Sequence, residues 1–221
     1  MKFKTIVFDL DGTIVDTMGD IGRAVNYGLG MHGFREYAVE ELYPLVGWGW
    51  RDLCTRCLPP ERRDDETVQK LYDTSSAYYG AHPADFSKPY PGIPELIAGL
   101  RQKKMQTAVL SNKLHVLTLK VVGALFPPGS FDLVFGEREG VPRKPDPQAL
   151  WDMLLEFDSS PRQTIFVGDS ESDIETAGAA GCHSVGVLWG FRERQVLEDA
   201  GADRIVSLPE EILELAAETR I

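Results

Sequence analysis

Five short apolar runs, TIVFD at 5–9, TAVLS at 107–111, DLVFG at 132–136, TIFVGD at 164–169 and SVGVLW at 184–189, punctuate this chain. Their apolar residues are consecutive rather than alternate, as a strand covered on both faces requires. Between and after them lie stretches with helical spacing: Ile93 to Gln102, Lys113 to Leu125, Pro147 to Phe157, Asp173 to Ala180, the short Glu193 to Asp199, and Pro209 to Ala217. Strand and helix in alternation predict an α/β fold, a Rossmann-like parallel sheet with helices on its faces.

One long segment breaks the pattern. From Asp16 to about Lys88 no strand-like run occurs, and apolar residues such as Ile21, Val25 and Leu29, then Val68, Leu71 and Tyr72, follow helical spacing. The chain therefore divides into an α/β core domain, residues 1–15 and 88–221, and an inserted α-helical cap domain, residues 16–87. Thr17 and Asp20 have capping-box spacing at one edge of the insertion, and KPYPG, rich in turn residues, stands at the other. Asp16 is expected to cap the start of the insertion.

Polar residues end three of the apolar runs: Asp9, Ser111 and Asp169. In open parallel sheets the carboxyl ends of strands form the ligand-binding rim, so three separate stretches deliver polar groups to one place. Asp11 follows Asp9 by two positions and so points the same way in extended chain. Ser170 and Asp173 extend the second acidic group, and Lys144, on a loop, brings positive charge. A carboxylate ending a buried strand is costly without a partner, which suggests a divalent cation. Asp11-Gly12 is also an ordinary turn pair, and this segment alone leaves both readings open.

The net charge of −11 argues against nucleic acid as a partner but not against a small phosphorylated ligand, which feels the local site. No stretch approaches the roughly 20 apolar residues of a membrane span, and Met-Lys-Phe-Lys leads into a strand rather than a signal sequence, so a cytoplasmic protein is expected. Cys54 and Cys57 have C-x-x-C spacing with no further ligand beside them, and are expected to be buried apolar residues. His32, His82, His115 and His183 form no ligand pattern.

FDLDGT, LSN, the lysine of RKPDP and GDSESD, in this order, resemble the four motifs of the haloacid dehalogenase superfamily of phosphotransferases. The helical insertion after the first motif is similar to the C1 class of caps. VGWG at Val46 to Gly49, SNK at Ser111 to Lys113 and GDSESDIETAGAAG at Gly168 to Gly181 are most similar to the phosphoglycolate phosphatase group. The resemblance implies a phosphatase acting on a small phosphorylated metabolite. Asp9 would be the nucleophile that becomes an aspartyl-phosphate, and Asp11 the acid and base that serves the leaving group and then water. It also implies a magnesium ion (Mg2+) held by the carboxylates of Asp9 and Asp169 and the main-chain carbonyl of Asp11, with Asp173 and Ser170 behind them. Ser111, Asn112, Lys113 and Lys144 would stabilise the phosphoryl group, with Gly12 permitting the turn and Thr13 donating to phosphate.

The aspartate at position 11 argues against the dehalogenases and phosphonate hydrolases of that superfamily. A sugar-phosphate mutase, a pyrophosphatase and a non-catalytic phospho-responsive module remain open. Specificity is expected in the cap, at Gly47 to Arg51, where Arg51 would offer its planar fork to a carboxylate or second phosphate, or else pair on the surface with Asp52. Trp48 and Trp50 are expected in the core rather than the pocket. Oligomeric state is not legible.

Overall fold

The computed structural model describes residues 3–217. In chain order its elements are β1 (Thr5–Phe8), β2 (Val15–Asp16), α1 (Met18–Met31), α2 (Val39–Leu42), α3 (Trp50–Cys57), α4 (Asp65–Ala81), β3 (Lys88–Pro89), α5 (Ile93–Gln102), β4 (Gln106–Leu114), α6 (His115–Leu125), β5 (Leu133–Glu137), α7 (Gln148–Glu156), β6 (Thr164–Gly168), α8 (Glu171–Ala180), β7 (His183–Val187), α9 (Arg194–Asp199), β8 (Arg204–Val206) and α10 (Pro209–Ala217). Three short 3₁₀ turns lie among them.

Six strands form one sheet in the order β5-β4-β1-β6-β7-β8, and all five pairings are parallel. The expected α/β fold is therefore present, with β1 between β4 and β6. Alternation along β1 explains the core. Ile6 and Phe8 face a layer with Ile93, Leu96, Ile97 and Ile212 of α5 and α10, while Val7 faces Leu150, Met153 and Ala177 of α7 and α8. Each fully buried residue of this size contributes about 1.5–3 kcal/mol.

Helices α1 to α4, between β2 and β3, pack around their own apolar cluster of Ile21, Val25, Leu29, Trp50, Leu53 and Leu71, which continues onto Leu117 of α6. Where the chain leaves and re-enters the sheet, β2 and β3 pair antiparallel, Val15 with Pro89 and Asp16 with Lys88. Neither strand was expected, because two residues carry no periodicity. β8 was also unexpected, since RIV is too short a run to separate from loop.

Two local expectations need correction. Thr17 and Asp20 make no capping box: Thr17 makes no side-chain cap bond, and the Asp20 carboxylate accepts from Phe86 N, Ser87 N and Ser87 Oγ, the last at 2.5 Å. Asp20 thereby fastens α1 to the returning linker. Helix α6 starts at His115 rather than Lys113, because β4 runs through the SNK segment to Leu114. Asp16 does accept from Met18 N at 3.3 Å, at the first turn of α1.

Candidate active site

Asp9 stands one residue beyond β1, Ser111 to Lys113 lie in the last part of β4, and Asp169 follows β6 directly. Adjacent parallel strands in register bring these ends together. Lys144, in the loop before α7, reaches in and donates from Nζ to Asp9 Oδ1 at 2.6 Å, Asp173 Oδ1 at 2.6 Å and Leu110 O at 3.1 Å. Asn112 holds that loop: its Oδ1 accepts from Lys144 N, and its Nδ2 donates to Lys144 O and Gly47 O. The Asn112 side-chain amide, expected to serve the phosphoryl group, here bonds Lys144 and Gly47 and so positions the loop.

Asp169 is buried between Thr13 Oγ1, which donates at 3.1 Å, and Phe191 N, which donates at 2.7 Å. The Thr13 hydroxyl, expected to donate to phosphate, here donates to this carboxylate. Gly12 has φ +87, and a Cβ there would lie 2.3 Å from Asp169 Oδ2, so glycine is needed both for the turn and for the approach of the carboxylate. Ser170 caps α8, its Oγ donating to Asp173 Oδ2 at 2.6 Å. Asp173 is consequently bonded on both oxygens, to Ser170 and to Lys144.

A second lysine serves the other aspartate. Lys113 Nζ lies 3.0 Å from Asp11 Oδ2 and donates to the hydroxyl of Tyr79, on α4, at 2.6 Å. Thr17 Oγ1 donates to the opposite oxygen of Asp11 at 2.7 Å. Asp11 is therefore oriented from two sides, and through Tyr79 the orientation depends on the helical layer.

The haloacid dehalogenase-like hydrolase family matches residues 6–187. The chain belongs to that family. The phosphoglycolate phosphatase of Aquifex aeolicus (strain VF5) is 31% identical over 96% of both chains, and that of Neisseria meningitidis serogroup A is 31% identical over 94% of this chain and 91% of its own. The crystal structure of an inferred phosphoglycolate phosphatase from Lactobacillus delbrueckii subsp. bulgaricus has a TM-score of 0.92 at 33% identity, covering 99% of this chain and 100% of its own.

The rim and the helical layer enclose a cavity of about 40 Å³. Asp9, Asp11, Ser111, Asn112, Lys113, Lys144, Asp169 and Ser170 line it from the sheet side, and Ile21, Val46, Gly47, Gly49, Trp50 and Leu53 from the helices. Trp50 is both core and wall: it is buried, donates from Nε1 to Ser75 Oγ, and packs 5.0 Å from Tyr79. Trp48 is not among the lining residues.

Arg51 does not reach the cavity. It is exposed, donates to Gln69 Oε1 at 2.6 Å and lies 3.8 Å from Asp65, while Asp52 pairs with Arg56 instead. It is the second residue of α3, and one step along a helix rotates the side chain by about 100°, from the inner face held by Trp50 to the outside. Arg192, missed from the sequence, lines the cavity in its place. It lies five residues beyond β7, past the run-ending positions that singled out Asp9 and Asp169, so that rule does not reach it.

Electrostatics in this pocket follow from burial. Desolvation pushes the Asp9 carboxyl well above the usual carboxylate range; Lys144 opposes the rise, and Asp173, Asp169 and Asp11 add to it. Burial likewise pushes Asp169 up to about 7, with Asp173 adding and the Phe191 N–H, Arg192 and Thr13 opposing. Burial by itself would discharge Lys144, but Asp173 and Asp9 outweigh it and hold the ammonium charged above the ordinary lysine range. One ammonium shared by two carboxylates cannot offset the desolvation of the whole group. Asp9, Asp169 and Asp173 place carboxylate oxygens within 4.8 Å of one another, an all-oxygen donor set short of positive charge, which fits a hard divalent cation.

Proposed function

We propose that the protein is a magnesium-dependent phosphatase that hydrolyses a small phosphorylated metabolite through an aspartyl-phosphate on Asp9, with a phosphoglycolate-like compound as substrate. One observation carries the reading: a buried carboxylate and a buried ammonium stand 2.6 Å apart at the floor of a cavity, with a second, separately oriented aspartate beside them. The named activity of the relatives supports the substrate class. In this reading residues 16–87 are the cap and residues 1–15 and 88–221 the core.

Asp9 Oδ1 is engaged by Lys144, so Oδ2 is the oxygen that attacks phosphorus. As that O–P bond forms, the bond to the leaving alkoxide breaks and Asp11 delivers a proton to it. Water then attacks the aspartyl-phosphate while Asp11 takes its proton, the acyl-phosphate P–O bond breaks, and Asp9 is regenerated with release of phosphate. Charge spreads over the equatorial phosphoryl oxygens in both steps, and Ser111 with the Lys144 ammonium stands ready to stabilise it. Asp9, Asp169 and the main-chain carbonyl of Asp11 would hold magnesium, which when bound supplies positive charge for carboxylates and phosphoryl oxygens alike. Asp173 keeps Lys144 charged and aimed at Asp9. The Asn112 bond to Gly47 and the Lys113 bond to Tyr79 tie the helical layer to the floor, which keeps water other than the reacting one away.

The test is release of inorganic phosphate from a panel of phosphorylated metabolites. Turnover that needs magnesium and stops on chelation is expected, with a small carboxylate-bearing phosphate among the best substrates. Failure to hydrolyse any phosphate ester with magnesium present would overturn the reading.

A further inference from the structure

Of the cations that line the cavity, Arg192 has its ion-pair partner outside the lining. Of the three basic residues lining it, Lys113 faces Asp11 at 3.0 Å and Lys144 faces Asp9 at 2.6 Å, both carboxylates of the same cavity. Arg192 instead pairs with Glu171 Oε2 at 2.9 Å, and Glu171 is not among the lining residues. Its side chain is only 9% exposed. The guanidinium is held rigidly, Nη1 donating to Tyr43 O at 2.8 Å and Nη2 to Val46 O at 2.9 Å. These bonds use three of the five N–H donors of an arginine and leave one on each Nη nitrogen. Nη2 also stands 3.6 Å from where a Cβ of Gly47 would be, an ordinary contact distance that sets it beside another lining residue.

A planar donor fork, fixed by other contacts and facing a small cavity, is suited to a carboxylate. The apolar side chains of the lining, Ile21, Val46, Trp50, Leu53 and Phe191, cannot satisfy a second charge on a ligand. Resting on the phosphatase reading, we infer that Arg192 is the specificity-determining residue: it pairs with a carboxylate on the organic part of the substrate while the phosphoryl group lies at Asp9. Its bonds to Tyr43 and Val46 then give the charge a second consequence. The residue that reads the substrate also fastens the helical layer, through the carbonyls of Tyr43 and Val46.

The experiment compares two esters of equal length, 2-phosphoglycolate and 2-hydroxyethyl phosphate, on the full-length wild type, Arg192→Lys and Arg192→Gln, with magnesium and with thermal melts to establish folding. Loss of a charged hydrogen bond corresponds to roughly 10–100-fold in kcat/KM. Arg192→Gln is expected to lose that much on 2-phosphoglycolate, chiefly through KM, and less than about threefold on 2-hydroxyethyl phosphate; Arg192→Lys, which keeps charge without the fork, should fall between. Losses of equal size on the two esters, or none on either, would show a fastening of the helical layer only and overturn the assignment. If Arg192→Gln fails to fold, the same comparison on Arg192→Lys decides, a loss confined to 2-phosphoglycolate supporting the assignment and parallel losses overturning it. Wild-type protein inactive on both esters and on p-nitrophenyl phosphate would overturn the phosphatase reading and this inference together, whereas an active wild type with parallel losses overturns this inference alone.

Discussion

Lys144 Nζ lies 2.6 Å from Asp9 Oδ1, and both groups are almost wholly buried. The lysine comes from a loop 135 positions away and has a second carboxylate, Asp173, at the same distance. Replacing it by an apolar residue leaves two like charges together in a low-dielectric pocket. Lys144→Met should therefore destabilise the fold by about 3–5 kcal/mol near neutral pH. The deficit should shrink in acid, because protonated carboxyls no longer repel. Chemical denaturation at two pH values measures both, and activity should fall at least about a hundred-fold.

Asp9→Asn changes the balance in the opposite direction. Burial makes the Asp9 charge costly, and the neutral amide removes that charge while Asp173 still pairs with Lys144. Thermal stability without metal should be equal or higher, yet turnover should fall by several powers of ten, since the group removed is the proposed nucleophile. A variant within tenfold of wild-type activity would contradict covalent catalysis at this residue.

Magnesium affinity should depend on pH. In the metal-free protein Asp169 is pushed up to about 7 from an ordinary 3.8. The folded state then holds this proton more tightly than the unfolded chain, so the group's contribution to stability is full below its unfolded value and lost as pH rises through about 7. A cation that binds the ionised carboxylate must displace the proton. Titration calorimetry in two buffers should record proton release at about pH 6 and little at about pH 9, and the thermal stabilisation by magnesium should grow over that interval. Binding that is independent of pH would show that no proton is displaced from Asp169 when magnesium binds.

Tyr79→Phe deletes one hydroxyl, the donor-acceptor partner of Lys113 on the helical side. Lys113 keeps Asp11, but its ammonium loses a charged hydrogen bond in a buried site, a cost of about 1.5–3 kcal/mol in stability. Asp11 becomes less well oriented, so kcat should drop several-fold on alkyl phosphates, whose leaving group needs a proton, and less on p-nitrophenyl phosphate. Equal losses on both esters would separate Tyr79 from the acid-base function.

Arg51→Ala should be nearly silent. The side chain is exposed and bonded to Gln69 outside the cavity, so stability should change by no more than about 0.5 kcal/mol and kcat/KM by less than about twofold on any substrate. Steady-state kinetics on 2-phosphoglycolate checks this directly.

Much of the frame was legible because its signals are local. Consecutive apolar residues in TIVF and TIFVG mark strands covered on both faces, and the aspartates that end them mark the rim, without knowledge of any contact. Helices α5 and α10 have the bounds expected from Ile93 to Gln102 and Pro209 to Ala217, since both are amphipathic stretches begun by turn residues. The short strands β2, β3 and β8 were not legible, because two or three residues take their structure from a partner strand rather than from their own pattern.

Sequence by itself determined the chemical inventory: which carboxylates and hydroxyls stand at the ends of the parallel strands, that a loop adds Lys144, and that a helical insertion follows the first strand. It determined this because strand ends in a parallel sheet share one edge whatever the loops do. Only the tertiary structure decided how those groups pair. It gave Thr13 to Asp169, Asn112 to the Lys144 loop, Lys113 to Asp11 and Tyr79, and it turned Arg51 outward while bringing Arg192 in. The direction of a side chain on a short helix or loop depends on a rotation fixed by packing against distant segments, and no spacing within the chain encodes that rotation.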